Sequence, residues 1–181
     1  ELVKEALKDE MLRGIERGSS SADETAHLLF IQKRAIIGYP KDVNYFITKI
    51  DDFLKKNNLT NEWFPDWFND LKSAIFHESY GLTGVMEWKT RMKNSTSCKI
   101  IGERIYCLID GKMVLQPQRI SQERLNQLVT ALMLRTPEKR LEGHAEVYML
   151  DNTRISIFLN GEDGYSKEPT IVFRKYIIEQ F

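Results

Sequence analysis

Residues 145–176 read AEVYMLDNTRISIFLNGEDGYSKEPTIVFRKY and give the clearest structural signal in the chain. Two runs rich in β-branched and aromatic residues lie on either side of Asp151-Asn152, which predicts a β-hairpin. Asp and Asn tolerate a positive φ, so this pair can close the turn. A third predicted strand follows a loop rich in Gly and Asp and ends on basic residues. We therefore expect Arg154 and Arg174 at strand ends, where a neighbouring domain or an anionic ligand could contact them.

The composition is that of a globular protein. Of the 181 residues, 42% are apolar, which is enough for an ordinary core in one domain or in two small ones. The 26 basic and 26 acidic side chains cancel. The chain therefore lacks the net positive field that collects nucleic-acid phosphates, and we expect no direct nucleic-acid partner. Residues 79–181 are mildly positive, with 15 basic and 12 acidic side chains.

The cysteine content and the length of the apolar runs indicate the cellular compartment in which the protein works. Cys98 and Cys107 are too few for a disulfide scaffold and lack metal-ligand spacing, so no metal site is predicted. No apolar run reaches the roughly 20 residues that cross a bilayer, and no secretory signal is recognisable. We therefore expect a cytoplasmic protein. Because the chain starts on Glu1 rather than Met, we interpret it as a piece of a longer protein.

Helical periodicity dominates residues 1–78. Over residues 1–18 apolar side chains recur at every fourth position, which predicts a first helix. Ser21 and Glu24 then form a capping box, which predicts the start of a second helix that runs to Gly38. Together with two further helices, these elements predict a small antiparallel bundle, because the connections between them are short.

The third and fourth helices have the most marked apolar faces. The third follows Pro40, and its predicted buried side is formed by Val43, Phe46, Ile47, Ile50, Phe53 and Leu54. The fourth is predicted to have Pro65 in its first turn and to end at Tyr80-Gly81. Its predicted buried stripe consists of Trp67, Phe68, Leu71 and Ile75. The cluster of Trp63, Trp67 and Phe68 could form a partner-binding surface, but we favour bundle core, because aromatic residues at helical spacing are usually buried.

From Gly81 onwards short strands alternate with turns. We predict strands at 97–101, 104–109 and 112–115, with turns at Gly102-Glu103 and Asp110-Gly111. A two-residue turn at Gly102 places Cys98 directly opposite Cys107. We expect free thiols there, because cross-strand geometry strains a disulfide and the cytoplasm is reducing. One helix interrupts the strands, with Ser121 as its N-cap, Leu125, Leu128, Val129 and Leu132 on its apolar face, and Pro137 beyond its end.

Several catalytic motifs are missing from the sequence. It contains no GxxxxGK[ST] phosphate loop, no Gly-rich dinucleotide fingerprint and no GxSxG nucleophile motif. We therefore predict that this chain alone neither hydrolyses ATP nor binds it tightly. His27 and His77 have no partners at metal-ligand spacing, so we interpret both as structural. His144 precedes the predicted hairpin and is interpreted as a strand-edge residue rather than a general base.

Five short motifs in residues 79–181 together resemble a known family. They are YGLTG at Tyr80, RIYCLIDGK at residues 104–112, ISQERLNQLVTALM, the hairpin with Asp151-Asn152-Thr153-Arg154, and TIVFRKY near the end. Their order and spacing are similar to the N-terminal domain of the secretion and pilus traffic ATPases, in particular the CpaF-like branch. The chain departs from that family at three places. Asn152 stands where Gly is usual, Tyr148 stands where a further Arg is common, and the first strand reads SCKIIG.

The resemblance implies an α+β fold in two parts. A helical bundle over residues 1–78 would precede, at residues 79–181, a PAS-like domain with a mixed or antiparallel sheet flanked by helices. In the family this domain covers the nucleotide on a C-terminal RecA-like motor domain, and arginines from its strands reach the phosphates. Arg154 and Arg174 match those positions, and Lys175 and Tyr148 are weaker candidates.

The resemblance also implies partners and cofactors. The full-length protein would be a cytoplasmic hexamer that uses ATP and Mg²⁺ and works at the cytoplasmic face of the membrane. Its partners would be its own motor domain, further copies of itself and a membrane platform protein of a type II secretion, type IV secretion or pilus system. The alternative is a PAS-like module that binds a small ligand or a protein and performs no chemistry. A Walker-A loop after Phe181 would distinguish the two.

Overall fold

The computed structural model describes residues 21–134, 144–159 and 167–176. Within these residues five helices and six strands follow one another along the chain. They are α1 Ser21–Ile37, α2 Pro40–Lys56, α3 Leu71–Ser79, α4 Val85–Arg91, β1 Ser97–Ile101, β2 Arg104–Ile109, β3 Lys112–Arg119, α5 Gln122–Met133, β4 His144–Tyr148, β5 Arg154–Phe158 and β6 Thr170–Arg174. The predicted first helix, the side chains of the Ser21/Glu24 capping box and Pro137 lie outside what is described. The α+β class is confirmed.

The strands form one antiparallel sheet in the order β3-β2-β1-β6-β5-β4. Gly102, with a φ of 55°, supports the tight turn between β1 and β2, and Cys98 pairs with Cys107 as predicted. Asn152 has the positive φ expected for the second hairpin. The connection there runs through residues 149–153, because pairing stops at Tyr148 and Arg154.

Two apolar cores share helix α1. Ala35 packs with Phe46, Ile50 and Phe76 in the helical part. The next residue, Ile36, packs in the core beneath the sheet, where Trp88, Leu125, Leu128 and Phe173 are fully buried. Two polar side chains of the same helix reach the second part, since Gln32 donates to the carbonyl of Tyr80 at 2.9 Å and Lys33 to that of Leu134 at 2.6 Å. The predicted division near residue 78 stays a prediction, and α1 contacts both of its sides.

Two helix predictions are corrected. The helix predicted from Pro65 begins at Leu71, because the Asp70 side chain accepts a hydrogen bond from the Ser73 amide at 2.8 Å and caps it there. Helix α4 was predicted as part of the strand region. It has seven residues and no side-chain cap at its start, so it lacks the usual signals.

The predicted buried faces are correct for most of the residues named. Phe46, Ile50, Phe53 and Leu54 are buried, and Val43 packs at the edge of the same core. The aromatic cluster is corrected in part: Phe68 is buried, Trp67 is half-buried, and Trp63 is 83% exposed in the loop before Asp70. Among the residues that the structure describes, no helix has both the length and the apolar character needed to cross a membrane.

Candidate functional site

The sheet has one face covered by helices and one that we call the open face. Cys98, Ile100, Ile155, Ile157, Ile171 and Phe173 point into the core. Since side chains alternate along a strand, the residues between them point to the other face. There they line a groove of about 650 Å³, which is bordered by Lys99, Ile101, Arg104, Tyr106, His144, Glu146, Arg154, Ser156, Phe158, Glu168, Thr170, Val172 and Arg174.

Arg154 and Arg174 lie directly opposite each other on β5 and β6. Both are at strand ends, as predicted, and both line the open-face groove. Arg174 is exposed and Arg154 is half-buried. Two like charges in directly opposed positions of a sheet destabilise it unless an anion balances them. The sheet register therefore brings together the two residues that the sequence predicted separately.

Lys99 on β1 is a third cation at this place, and sequence analysis did not identify it. It lies opposite Val172, and Arg174 lies opposite Ser97, so Lys99 and Arg174 are diagonal neighbours on the same face. The alternation in Ser97–Ile101 shows that Lys99 points away from Cys98 and Ile100. The sequence does not show that β1 pairs with β6, and this long-range pairing is what places Lys99 beside the arginines.

Two acidic residues partly balance the cations of the open face. Glu168 forms an ion pair with Arg104 at 2.8 Å, at the end of the groove near Gly102. Glu146 on β4 has a carboxylate oxygen 3.9 Å from Arg154 and also accepts a hydrogen bond from Ser156 at 3.4 Å. Both carboxylates therefore contact neighbouring groups, and neither pairs with Arg174.

Lys175 lies on the helix-covered side of the sheet, away from Arg174. Its ammonium group donates to the carbonyls of Trp88 at 3.2 Å and of Met92 at 2.8 Å, and it lies 4.5 Å from the centre of the Trp88 ring. These carbonyls are at the C-terminal end of α4, where a helix favours a cation. Burial and the nearby Lys89 lower the pKa of Lys175. The structure thus assigns the Lys175 ammonium group to the support of α4, and the residue also borders the smaller groove near Thr96 and Tyr176.

Tyr148 is on the edge strand β4 and is paired with Arg154. It is 59% exposed, and its hydroxyl group lies 3.5 Å from Glu146. The hydroxyl can donate one hydrogen bond to a ligand oxygen but carries no charge at neutral pH. Its position is compatible with the weaker role predicted for it.

The far end of the groove is aromatic. His144 begins β4 at the sheet edge, as predicted, and its ring stacks on Phe158 with centroids 4.7 Å apart. Among the described residues, its buried Nε2 atom has no hydrogen-bond partner. In the described part of the chain, no group of His, Cys, Asp and Glu side chains could hold a metal ion.

The hairpin that carries Arg154 is fixed at its tip by two helices. Asp151 forms an ion pair with Lys89 of α4, and Lys89 also donates to Thr153 at 3.1 Å. The Leu150 amide donates to the carbonyl of Ile37 at the end of α1, at 2.9 Å. Burial raises the pKa of Asp151, but hydrogen bonds from Lys89 and Thr153 outweigh it and keep that pKa below its usual range. The base of β5 is therefore held in place, which positions Arg154.

The paired cysteines are not part of the open face. Both are buried free thiols, with their sulfur atoms 3.5 Å apart beneath the sheet. Hydrogen bonding with Cys107 and burial raise the pKa of Cys98 far above its ordinary range, whereas hydrogen bonding with Cys98 lowers the pKa of Cys107. A group that does not ionise is a poor nucleophile, so Cys98 is a neutral core thiol at neutral pH.

Comparisons with known proteins do not assign the chain to a family. No protein-family model matches the chain, and no curated protein matches it significantly. Functional inference therefore depends on the open face and on the motifs of the sequence.

Proposed function

We propose that this chain is the nucleotide-covering N-terminal domain of a hexameric traffic ATPase that powers secretion, pilus assembly or DNA transfer. The observation that carries the proposal is the direct opposition of Arg154 and Arg174 on a sheet face that no helix of the described residues covers. Two guanidinium groups offer forked donors that match phosphate oxygens, and both stay charged at any physiological pH. The five motifs that resemble the traffic ATPase family support the same function.

The residues present fit phosphate but do not form a complete nucleotide site. The open face supplies cations, whereas the sequence contains no phosphate loop. Its two carboxylates already contact Arg104 and Arg154, so we expect Mg²⁺ to be held by the motor domain. ATP bound to the motor domain supplies the phosphoryl group that is transferred.

Domain closure gives the two arginines their role. When the open face approaches the motor domain, Arg154 and Arg174 contact phosphate oxygens and balance the charge that develops during phosphoryl transfer. Because the hairpin tip is fixed to α1 and α4, movement of the arginines moves the helices with them. Hydrolysis would then be coupled to movement of the whole chain, including a membrane platform protein bound to it.

The experiment uses a longer gene product that continues past Phe181. We expect that protein to hydrolyse ATP with Mg²⁺ and to form hexamers, and we expect the 181-residue chain to do neither. A longer product that has no ATPase activity but retains a small molecule or a partner protein would contradict the proposal and support the alternative, a PAS-like binding module. Turnover by the purified 181-residue chain, free of contaminating ATPase, would also overturn it.

A further inference from the structure

Four cations border the open-face groove in the described residues, and Arg104 pairs with Glu168, whereas Lys99, Arg154 and Arg174 differ in what balances their charge. Arg154 has Glu146 at 3.9 Å. Over residues 21–134, 144–159 and 167–176, no carboxylate lies within ion-pair distance of Lys99 or of Arg174. These two residues therefore carry the uncompensated positive charge of the open face.

The register places Lys99 and Arg174 within reach of one ligand. Their strands are hydrogen-bonded neighbours, and the two residues are offset by one diagonal step. Such positions are about 7–8 Å apart, which long side chains can span. Lys99, Arg154 and Arg174 also border a second groove, of about 620 Å³, towards Thr96 and Tyr176. The three cations thus form the ridge between two grooves, where a ligand has access to all of them.

We propose that Lys99 and Arg174 form a binding site for linked phosphates, with Arg154 as its third contact. This inference rests on the proposed function and names Lys99 as a phosphate contact of that same face. The lysine supplies a compact charge with three donors and the arginine supplies a planar fork, so the two are complementary rather than redundant. A ligand with two or more linked phosphates suits this spacing, because each cation can then contact a different phosphate.

The arrangement explains the charge balance of the open face. Lys99 lies half-buried on the open face between its cross-strand neighbours Tyr106 and Val172, and a cation there costs solvation unless a partner approaches. Within the described residues that partner is absent, whereas the other arginine of the groove, Arg104, already has Glu168. A phosphate chain supplies the missing negative charge to Lys99 and Arg174 without disturbing either ion pair.

The test is a calorimetric or NMR titration of the 181-residue chain with inorganic tripolyphosphate at low ionic strength, with ATP as a second probe. Binding is expected to be weak, because the phosphate loop is missing. Lys99→Ala and Arg174→Ala should each lower the affinity for tripolyphosphate about tenfold, the usual effect of losing a hydrogen bond to a charged group. Lys99→Arg should retain most of the binding.

The matched control is Lys112→Ala, which removes an exposed lysine from the edge strand β3 of the same sheet. It should change the affinity less than twofold, and none of the variants should alter the melting temperature appreciably. Equal losses in Lys99→Ala and Lys112→Ala would reveal unspecific charge attraction and overturn the site. So would an unchanged affinity in Lys99→Ala, or no binding by the unsubstituted chain.

The ATP probe separates two sources of the phosphates. Tighter binding of ATP than of tripolyphosphate, lost in Lys99→Ala, assigns the ligand as a nucleotide. Equal affinities that both depend on Lys99 assign the phosphate chain itself as the recognised group. Failure of this titration removes Lys99 from the site but does not decide the proposed function, which is measured separately by the ATPase activity and assembly of the longer protein.

Discussion

Arg174 and Lys175 are neighbours in sequence, but the alternation of strand β6 sends them to opposite sides of the sheet. Arg174 borders the open-face groove, and Lys175 donates to carbonyls at the end of α4. A basic pair read from sequence therefore contains one candidate ligand and one structural residue. The distinction depends on helix α4, which the sequence analysis did not predict.

Substitution of each residue by methionine should separate the two roles. Lys175→Met removes the ammonium group that donates to the carbonyls of Trp88 and Met92. Because both carbonyls lose this charged donor, we expect the free energy of unfolding to fall by about 1–2 kcal/mol. Arg174→Met should change it by no more than about 0.5 kcal/mol. Urea unfolding of both variants provides the measurement. Equal losses would show that Arg174 is also structural.

His77 makes the stability depend on pH. Its ring lies between Phe68 and Phe76, with centroids 5.8 and 4.9 Å away, and its Nδ1 atom accepts from the Leu82 amide at 3.4 Å. Burial, with the charges of Lys89 and Arg124, lowers the pKa of His77 to about 4. The unfolded chain, with an ordinary histidine pKa of about 6.5, then binds the proton more tightly than the folded chain. Stability is therefore fully present above pH 6.5 and is lost as the pH falls towards 4.

The pH dependence can be assigned with two variants. His77→Gln should flatten the plot of unfolding free energy against pH between about 6.5 and 4, whatever its effect on stability at pH 7. His27→Gln, which replaces an exposed histidine on α1, should leave the slope unchanged. If the slope survives in His77→Gln, groups other than His77 cause the acid sensitivity in this pH range.

At the scale of elements, the sequence predicted the features that depend on residues close together in the chain, such as turns and helix caps. The turn at Gly102 fixed the β1-β2 register, and the side chain of Ser121 does accept from the Arg124 amide as the N-cap of α5. The start of α3 was wrong because Asp70, a better cap, lies after Pro65. The ends of β1 and β2 were predicted correctly, whereas β3 runs to Arg119 rather than to residue 115 and β4 ends at Tyr148 rather than at residue 150. The order β1-β6-β5 could not be predicted, because it depends on contacts between residues far apart in sequence.

Helix α2 offers the sharpest test of the packing account. Phe46 is fully buried and lies 5.4 Å from Phe76 and 4.8 Å from Tyr80, measured between ring centroids. Phe46→Ala leaves a cavity among these rings, so the free energy of unfolding should fall by about 3–5 kcal/mol. The adjacent Tyr45 is partly exposed and serves as the control, with an expected loss of less than about 1 kcal/mol in Tyr45→Ala. A loss under 1 kcal/mol in Phe46→Ala would place that side chain at the surface.

At the scale of the whole molecule, the helices pack on one side of the sheet, and among the described residues none covers the other side. Arg124 shows how tightly the covered side is joined, since its buried guanidinium group donates to the carbonyls of Glu78 at 3.0 Å and Gly81 at 2.5 Å. Burial lowers the pKa of Arg124 to about 10, so it stays charged at neutral pH. The cations of the open face have no such role in packing, which is why we assign them to a ligand.

The most direct measurement of the central claim is the effect of Arg154→Ala and Arg174→Ala on the ATPase turnover of the longer protein that the proposed function requires. We expect each change to lower turnover by about 10³-fold or more if the residue acts as an arginine finger, while the melting temperature of the 181-residue chain stays almost unchanged. Arg91→Ala is the control, because Arg91 is an exposed arginine of helix α4 that pairs with Asp66 at 2.5 Å. Full ATPase activity with both open-face arginines removed, or unfolding of the chain in Arg174→Ala, would contradict the account.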